Sequence, residues 1–446
     1  MKNLFIRAFL FMPLVSLATI VSAQRMISMQ DAFELASESN RQLLIERIGT
    51  RKADEAIKES KSYLLPSVSV NAAYNAYGER PVIYLRNEPA DGNKVADVRF
   101  GGRYAFDGSV SASYPLVSGS IRSEVRKARL ESRIQRQQVS LAEEDIAWEV
   151  GNLYLDILLM QANRTSIEHS LKRNEHSLKD SRSLFLQGKN LKTDTLSNYI
   201  SVQNLRSALL KIENEITVKK KYLKHVLGVE DSIQIELADS LAPDLNLNSV
   251  TSVAVSIAED NRKDMRIQKL FVDRTQEELA GLRASFRPQL TALAQYQIQN
   301  QSDNLKLSGY NFPRTSFVGL RASVPIYSGK RLRYKTAQLE FLKQQNEIQL
   351  AETKSKIKTE LESVSSDLIS AYNDHEIQKQ NVDAALINYT MMRDRYRNGL
   401  GTRLEVTDAE VALTKAKLDL AGSVHLIKIK KLQLQKTTGT LKLKTD

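Results

Sequence analysis

The chain has 446 residues, 26% of them charged, with a formal net charge of +12 and no cysteine. The lack of thiols excludes disulfides, cysteine metal sites and a lipid-modified N-terminal Cys. Lys and Arg interleave with Glu and Asp along apparent helices, as in residues 127–131 and 354–360. That is the pattern of a solvated helical face, no reader motif accompanies it, and nucleic acid is set aside as a partner.

Residues 1–23 read as a secretory signal peptide. Lys2 and Arg7 are basic, residues 8–21 are mainly apolar, and Val21-Ser22-Ala23 forms the cleavage site. The apolar run is short for a membrane span, and no later run is long enough for a membrane helix. The mature chain is expected to be soluble or to cross lipid as β-strands.

Four segments then show period two. Val68, Val70, Ala72, Tyr74 and Ala76 alternate with polar residues and Ala73, giving a strand at about 67–77. Phe106, Val110, Ala112 and Tyr114 do the same over about 103–114. Further on, Leu290, Ala292, Ala294, Tyr296 and Ile298 mark about 289–299, and Val318, Leu320, Ala322 and Val324 mark about 316–325. Strands of about 10 residues with one apolar and one polar face fit a membrane barrel with lipid outside and water inside. The link from Gly78 to Gly102 holds Pro81, Pro89 and several charges, and reads as a long external loop.

Between the strand pairs the helix breakers are sparse. No proline lies between Pro115 and Pro243 or after Pro325, which permits very long helices. Apolar residues at Ile146, Val150, Leu153, Ile157 and Met160, and at Val406, Ala409, Leu413, Ala416 and Leu420, step alternately by three and four. That is coiled-coil spacing. Helices from Gly119 to Gly188 and from Gly329 to Gly399 would each reach about 105 Å at 1.5 Å per residue. Tight turns at Gly188 and Gly399 then send a second helix back to Gly228 and Gly439.

These landmarks recur. The runs around Pro115 and Gly119 return at Pro325 and Gly329, Gly188 returns as Gly399 and Gly228 as Gly439, all at a spacing of about 210 residues. Asn40-Arg41 matches Asn261-Arg262, and Pro66 matches Pro288. The plan is therefore two structural repeats, each a β-hairpin plus a long helical hairpin: 24–230 and 249–446, joined by a connector at 231–248. Two hairpins give four strands, which cannot close alone, because the smallest membrane barrels have about eight and an open edge in lipid is very unfavourable. Two chains would give eight strands and three would give twelve. Three is favoured, because a twelve-stranded barrel leaves room for a pore.

Over essentially all of its mature length the chain resembles the TolC-like outer-membrane efflux proteins. Four elements carry the resemblance: Ile27-Ser28-Met29-Gln30-Asp31-Ala32-Phe33 as the opening amphipathic helix; Leu64-Leu65-Pro66 and Arg287-Pro288 as strand entries; the two Pro-x-x-Ser-Gly strand-to-helix exits; and Arg395-Tyr396-Arg397-Asn398-Gly399-Leu400-Gly401-Thr402 as a helix turn. The resemblance implies a homotrimer with one twelve-stranded barrel in the outer membrane of a Gram-negative cell and an α-helical tunnel across the periplasm. It further implies docking on a periplasmic adaptor (membrane fusion) protein joined to an inner-membrane pump, in a tripartite efflux or type I secretion system. Gly188, Lys189, Asn190, Gly399, Leu400 and Gly401 then fall at the adaptor-contacting turns. Asp194, Ser197, Glu405 and Asp408 fall at the periplasmic entrance, where a trimer would make rings of like charge. These same residues also suit solvated helix starts.

No enzyme signature competes. His169 and His176 share a helix face but lack a metal-ligand pattern, and Gly329-Lys330-Arg331 lacks the upstream glycine of a phosphate loop. No cofactor or metal is expected, and Trp148 is expected to pack. The rival reading is a structural trimeric coiled-coil protein of the cell envelope, an adhesin or periplasmic spacer, which would leave four matched amphipathic strands unexplained.

Overall fold

A computed structural model describes residues 25–85, 96–189, 191–242, 255–305 and 311–443. The leader at 1–23 and Asn190 lie outside the described residues. In chain order the elements are β1 (Arg25–Ile27), α1 (Met29–Ser39), α2 (Arg41–Ser62), β2 (Ser67–Ala76), β3 (Val82–Leu85), β4 (Ala96–Arg99), β5 (Tyr104–Val117), α3 (Gly119–Leu186) and α4 (Lys192–Leu227). There follow β6 (Ile235–Leu237), α5 (Val255–Asn261), α6 (Lys263–Ala284), β7 (Gln289–Ser302), β8 (Arg314–Ser323), α7 (Arg331–Arg397) and α8 (Arg403–Thr437).

Local chemistry sets the helix ends. Ser28 and Asp31 form a reciprocal capping box at the start of α1, with Asp31 N donating to Ser28 Oγ at 3.2 Å and Ser28 N donating to Asp31 Oδ2 at 2.8 Å. Asn40 breaks α1 from α2 with an extended backbone, and its Oδ1 accepts from Leu43 N at 2.9 Å. The helices α3 and α7 run 68 and 67 residues without interruption, roughly 100 Å each at the α-helical rise. Their return partners α4 and α8 have 36 and 35 residues, about half as long.

The other half of α3 is covered by different elements. Against its early turns lie α2 and α6: Ser132 Oγ donates to Asp54 at 2.7 Å, and Arg126 pairs with Glu277 at 2.8 Å. α6 also meets α7, where Asn346 Nδ2 donates to Thr275 Oγ1 at 2.9 Å. The three/four apolar seam packs as its spacing predicts, with Ile146, Val150, Ile157, Val406, Ala409 and Leu413 buried. The main core sits midway along the pillar, where α1, α3 and α4 enclose Ile27, Leu43, Tyr154 and Leu227.

The four long strands form one antiparallel sheet in the order β2-β5-β7-β8. Its register sorts the side chains into rows. Val68, Ala112, Ala294 and Val318 align across all four strands, and two residues on the row runs Val70, Val110, Tyr296 and Ser316. The alternate row runs Asn71, Ser109, Gln297 and Thr315. One face is mainly apolar and the other mainly polar, as period two requires, with Leu293 and Phe317 as apolar residues on the polar side. The apolar row is uncovered within the chain, with Val318 85% exposed.

Four details depart from the sequence reading. β5 runs on through Pro115 to Val117, with a register break between Pro115 and Val117, so the first three residues of the exit element belong to the strand and Ser118 and Gly119 open α3. β8 ends at Ser323, leaving Pro325 beyond the strand rather than in it. The link expected to be a loop between Gly78 and Gly102 contains the β3–β4 hairpin. The connector at 231–248 holds β6, which pairs in parallel with β1 and ties the start of the described chain to the end of α4.

Candidate functional site

The far end of the helical pillar carries both glycine turns. Gly188 (φ +70°) ends α3 and Gly399 (φ +73°) follows α7, each in the left-handed region that favours glycine. The next residues fold back onto their helices: Lys189 N donates to Leu184 O and Leu400 N donates to Arg395 O, both at 2.9 Å. Nothing lies within 4 Å of a side chain placed at either glycine. These tips present backbone and Leu186, Leu191, Leu400 and Leu404 outward.

The two tips differ in their next turn. Thr402 starts α8 with a capping box, in which Glu405 N donates to Thr402 Oγ1 at 3.3 Å and Thr402 N donates to Glu405 Oε2 at 2.9 Å. Leu191 starts α4 with no side-chain cap. Glu405 thus engages its own helix start, while Asp408 is exposed one turn on. Asp194 is half-buried in the first turn of α4, and Ser197 is exposed.

One cavity of about 590 Å³ gathers residues from both tips: Lys189 from the first, Gly399 and Gly401 from the second. Its inner wall holds a cluster absent from the sequence reading. Glu410 of α8, nearly buried, accepts from Arg173 of α3 through Nε and Nη2 at 2.8–3.1 Å, and Ser170 Oγ donates to it at 2.8 Å. This ties the first helical hairpin to the second. Arg403, 8% exposed, lies beside it with its side chain over the Tyr396 ring at 5.9 Å. Burial lowers the Arg403 pKa from its ordinary value, and Tyr396, Tyr389, Asp194 and Glu410 oppose that shift. Glu410 sits next to Ala409 of the apolar seam, and a carboxylate beside a seam was the available signal.

The strand-to-helix junctions are unlike each other. Pro66 and Pro288 precede β2 and β7. Ser118 caps α3, and Gly119 packs so closely that an added Cβ would lie 2.9 Å from Ala284 Cβ. In the second half Gly329 (φ +61°) and Lys330 (φ +60°) are both left-handed and precede α7 without a side-chain cap. His169 and His176 are not drawn together with other ligands: His176 lies 3.7 Å from Asp180, and no metal-holding group forms among the described residues.

The chain is a pillar of paired helices topped by a four-stranded sheet with an exposed apolar face. Among the described residues no helix is long and apolar enough to cross a membrane. The chain belongs to the outer membrane efflux protein family, whose pattern matches residues 32–229 and 254–440. It is 20% identical over 427 residues to outer membrane protein TolC of Vibrio cholerae, covering 96% of this chain and 94% of that one. Its fold is similar to that of VceC from Vibrio cholerae, at a TM-score of 0.74 and 18% identity over 92% of this chain and 96% of that one. The CmeC outer membrane channel of Campylobacter jejuni gives a TM-score of 0.74 at 14% identity, over 94% of this chain and 87% of that one.

Proposed function

We propose that three copies of this chain close a twelve-stranded barrel in the outer membrane, continued by a helical tunnel into the periplasm. The conduit passes substrates outward from a periplasmic adaptor and an inner-membrane pump, without chemistry of its own. The observation that carries this reading is the sheet order β2-β5-β7-β8, in which β2 and β8 are edges. Unpaired strand edges are not tolerated in hydrocarbon, where no water satisfies the backbone groups. Pairing β8 of one protomer with β2 of the next removes every edge and turns the row of Val68 and Val318 toward lipid. A helical spacer or adhesin would have no need of this sheet.

In this reading the two halves are copies of one plan, with boundaries near 24–230 and 249–446, and the glycine tips face the adaptor. Three copies bring Asp408 together in a ring that favours cations. Glu405 contributes less to it, because its carboxylate already caps α8.

The chain has no native cysteine, which makes the closure directly testable. One Cys placed in β2 and one in β8 should crosslink between protomers into covalent trimers, and the purified protein should conduct ions in planar bilayers. A monodisperse, non-conducting monomer would refute the assembly. At the entrance, Asp408→Ala should raise conductance or weaken cation preference more than Glu405→Ala does. Equal, unchanged currents in both variants would discard the acidic ring.

A further inference from the structure

Five arginines of α3 fall on one line. Arg122, Arg126, Arg129, Arg133 and Arg136 step by four, three, four and three, the spacing that keeps side chains on one helix face, and all five are exposed. The same steps lead on through Ser140, Glu143, Ala147 and Val150 to Tyr154. There the face is covered: Ala147 and Val150 pack in the main core with Ile27 and Ala32, and the Tyr154 hydroxyl donates to Ile27 O at 3.0 Å. The arginine line is therefore the uncovered continuation of the face on which β1 and α1 sit. In the proposed conduit that face is the outside of the tunnel, since elements packed on the inner side would block it; this placement rests on the conduit reading. The helices lie side by side in the order α2, α3, α6, α7. The line is thus interior to the protomer, and a neighbouring copy meeting α2 or α7 leaves it exposed.

We propose that this basic face binds the carboxylate-bearing peptide chains of the peptidoglycan wall and so anchors the conduit in it. Charge on the face is one-sided. Glu277 pairs with Arg126 at 2.8 Å and Asp54 with Arg136 at 3.1 Å, and Asp273 continues the line of Arg266 and Lys269 on α6. Beside the arginines a groove of about 340 Å³ is walled by Arg133, Arg136 and Gln137 of α3 and by Arg266, Lys269 and Leu270 of α6, with no carboxylate. A row of guanidinium forks suits a partner that offers carboxylates repeatedly. Length argues against a lipid surface. Arg122 stands about 5 Å beyond Gly119 and Arg136 about 26 Å beyond it, at 1.5 Å per residue. A headgroup layer is only about 5–8 Å deep, so lipid reaches the first arginine and not the rest. Composition argues against a folded protein. Among the described residues no large apolar side chain is exposed along this part of α3 or along α6, which leaves a protein interface no apolar centre to bury. A hydrophilic polyanion held by charge meets both conditions.

The test uses the full-length protein in nanodiscs of zwitterionic lipid, sedimented with purified peptidoglycan sacculi and, in parallel, with phosphatidylglycerol vesicles. The parent should sediment with sacculi, and the binding should weaken steeply from about 50 to about 300 mM salt. The triple variant Arg122→Gln, Arg129→Gln and Arg133→Gln should bind sacculi about tenfold more weakly, the sum of three exposed charge contacts. A control that removes as many exposed cations lower on the pillar, Lys172→Gln, Lys179→Gln and Lys211→Gln, should bind like the parent. Sacculi whose carboxylates have been amidated should retain none of these proteins, a result that does not depend on how any variant folds. Equal losses in the two triple variants would reduce the effect to net charge and overturn the proposal. Undiminished binding to amidated sacculi, or retention by the vesicles alone, would overturn it as well. Conductance in planar bilayers is read separately. A parent that conducts but does not sediment overturns the anchor alone, whereas a parent that does not conduct overturns the conduit and with it the outward placement of this face.

Discussion

The junction where α4 ends against the α1–α2 break and the junction where α8 ends against the α5–α6 break have the same backbone plan and different chemistry. In the first, Gly228 (φ +72°) presses on Ser39 and Asn40, and Asn40 Nδ2 donates to Val226 O at 2.6 Å inside the main apolar core. In the second, Gly439 (φ +68°) presses on Asn261 and Arg262, and Lys263 Nζ donates to Gly439 O at 3.1 Å. Around it Arg262 bridges Asp264 and Glu360, and Glu144 is buried nearby. The shared requirement is close backbone approach at a left-handed residue. How the surrounding polar groups are satisfied is free to differ: one neutral amide in the first, a cluster of charges in the second.

The most damaging way to break this comparison is to give each glycine a methyl group. At Gly228 a Cβ would stand 2.0 Å from Ser39 O, against 2.8 Å from Asn261 C at Gly439. Both substitutions also place a side chain in the left-handed region. Gly228→Ala should cost about 3–4 kcal/mol and Gly439→Ala about 2 kcal/mol, read from unfolding in detergent. Gly188→Ala and Gly399→Ala, with open space around them, should cost only about 1 kcal/mol each. Equal losses at all four sites would show that the seating of the chain ends contributes nothing.

The ionic junction should also depend on pH where the neutral one does not. Glu144 is 5% exposed and its Oε2 has no partner among the described residues. Burial pushes its pKa from 4.5 up to about 7, against the opposing pull of Lys263, Arg262 and Lys436 and with a small addition from Asp145. The folded chain therefore holds a proton that the unfolded chain has released. Stability falls as pH rises from about 4.5 to about 7 and is level above that. Glu144→Gln should remove this slope and be about 2 kcal/mol more stable than the parent at pH 8, with no advantage near pH 4. A variant that follows the parent curve throughout would remove Glu144 from the account.

A smaller difference separates the two donors. Asn40 both caps α2 and satisfies Val226 O, so Asn40→Ala loses two buried hydrogen bonds, about 2 kcal/mol. Lys263→Ala also loses two hydrogen bonds, to Asn261 O and Gly439 O, but they are only half-buried, and the change relieves an ammonium that burial disfavours. It should cost less than about 1 kcal/mol. The reverse order would mean that the charged junction is the tighter of the two.

What the sequence made legible follows from range. Gly228, Gly439 and Asn40 are visible as landmarks because glycines and the capping Asn40 answer to local backbone demands, whereas Asn261 recurs in sequence but ends α5 without capping α6. That Gly228 seats on Ser39 is not visible, since the partners lie far apart in the chain. β1 and β6 have three residues each, too few to display a period of two, and the β3–β4 hairpin is short enough to resemble a loop. Arg173, Arg403 and Glu410 read as ordinary solvated charges. Only the meeting of α3 with α8 encloses them. The long helices and four amphipathic strands were legible for the opposite reason: their periodicity repeats many times over.

The least disruptive test concerns the tips. Both turns share a left-handed glycine, but only α8 begins with a side-chain cap. Replacing Thr402 by Ala removes the hydroxyl that accepts from Glu405 N, while Glu405 can still accept from the residue 402 backbone N–H. The loss should be about 1 kcal/mol and confined to the first turn of α8. Hydrogen exchange of the amides at 403–406 should then speed up toward the rates at the uncapped start of α4, with amides beyond Leu413 unchanged. If the start of α8 already exchanges as fast as that of α4 in the parent protein, the capping box does not distinguish the tips. The proposed greater weight of Asp408 over Glu405 would then lose its physical basis, because a Glu405 carboxylate released from the helix start is as available to the conduit as its neighbour one turn along.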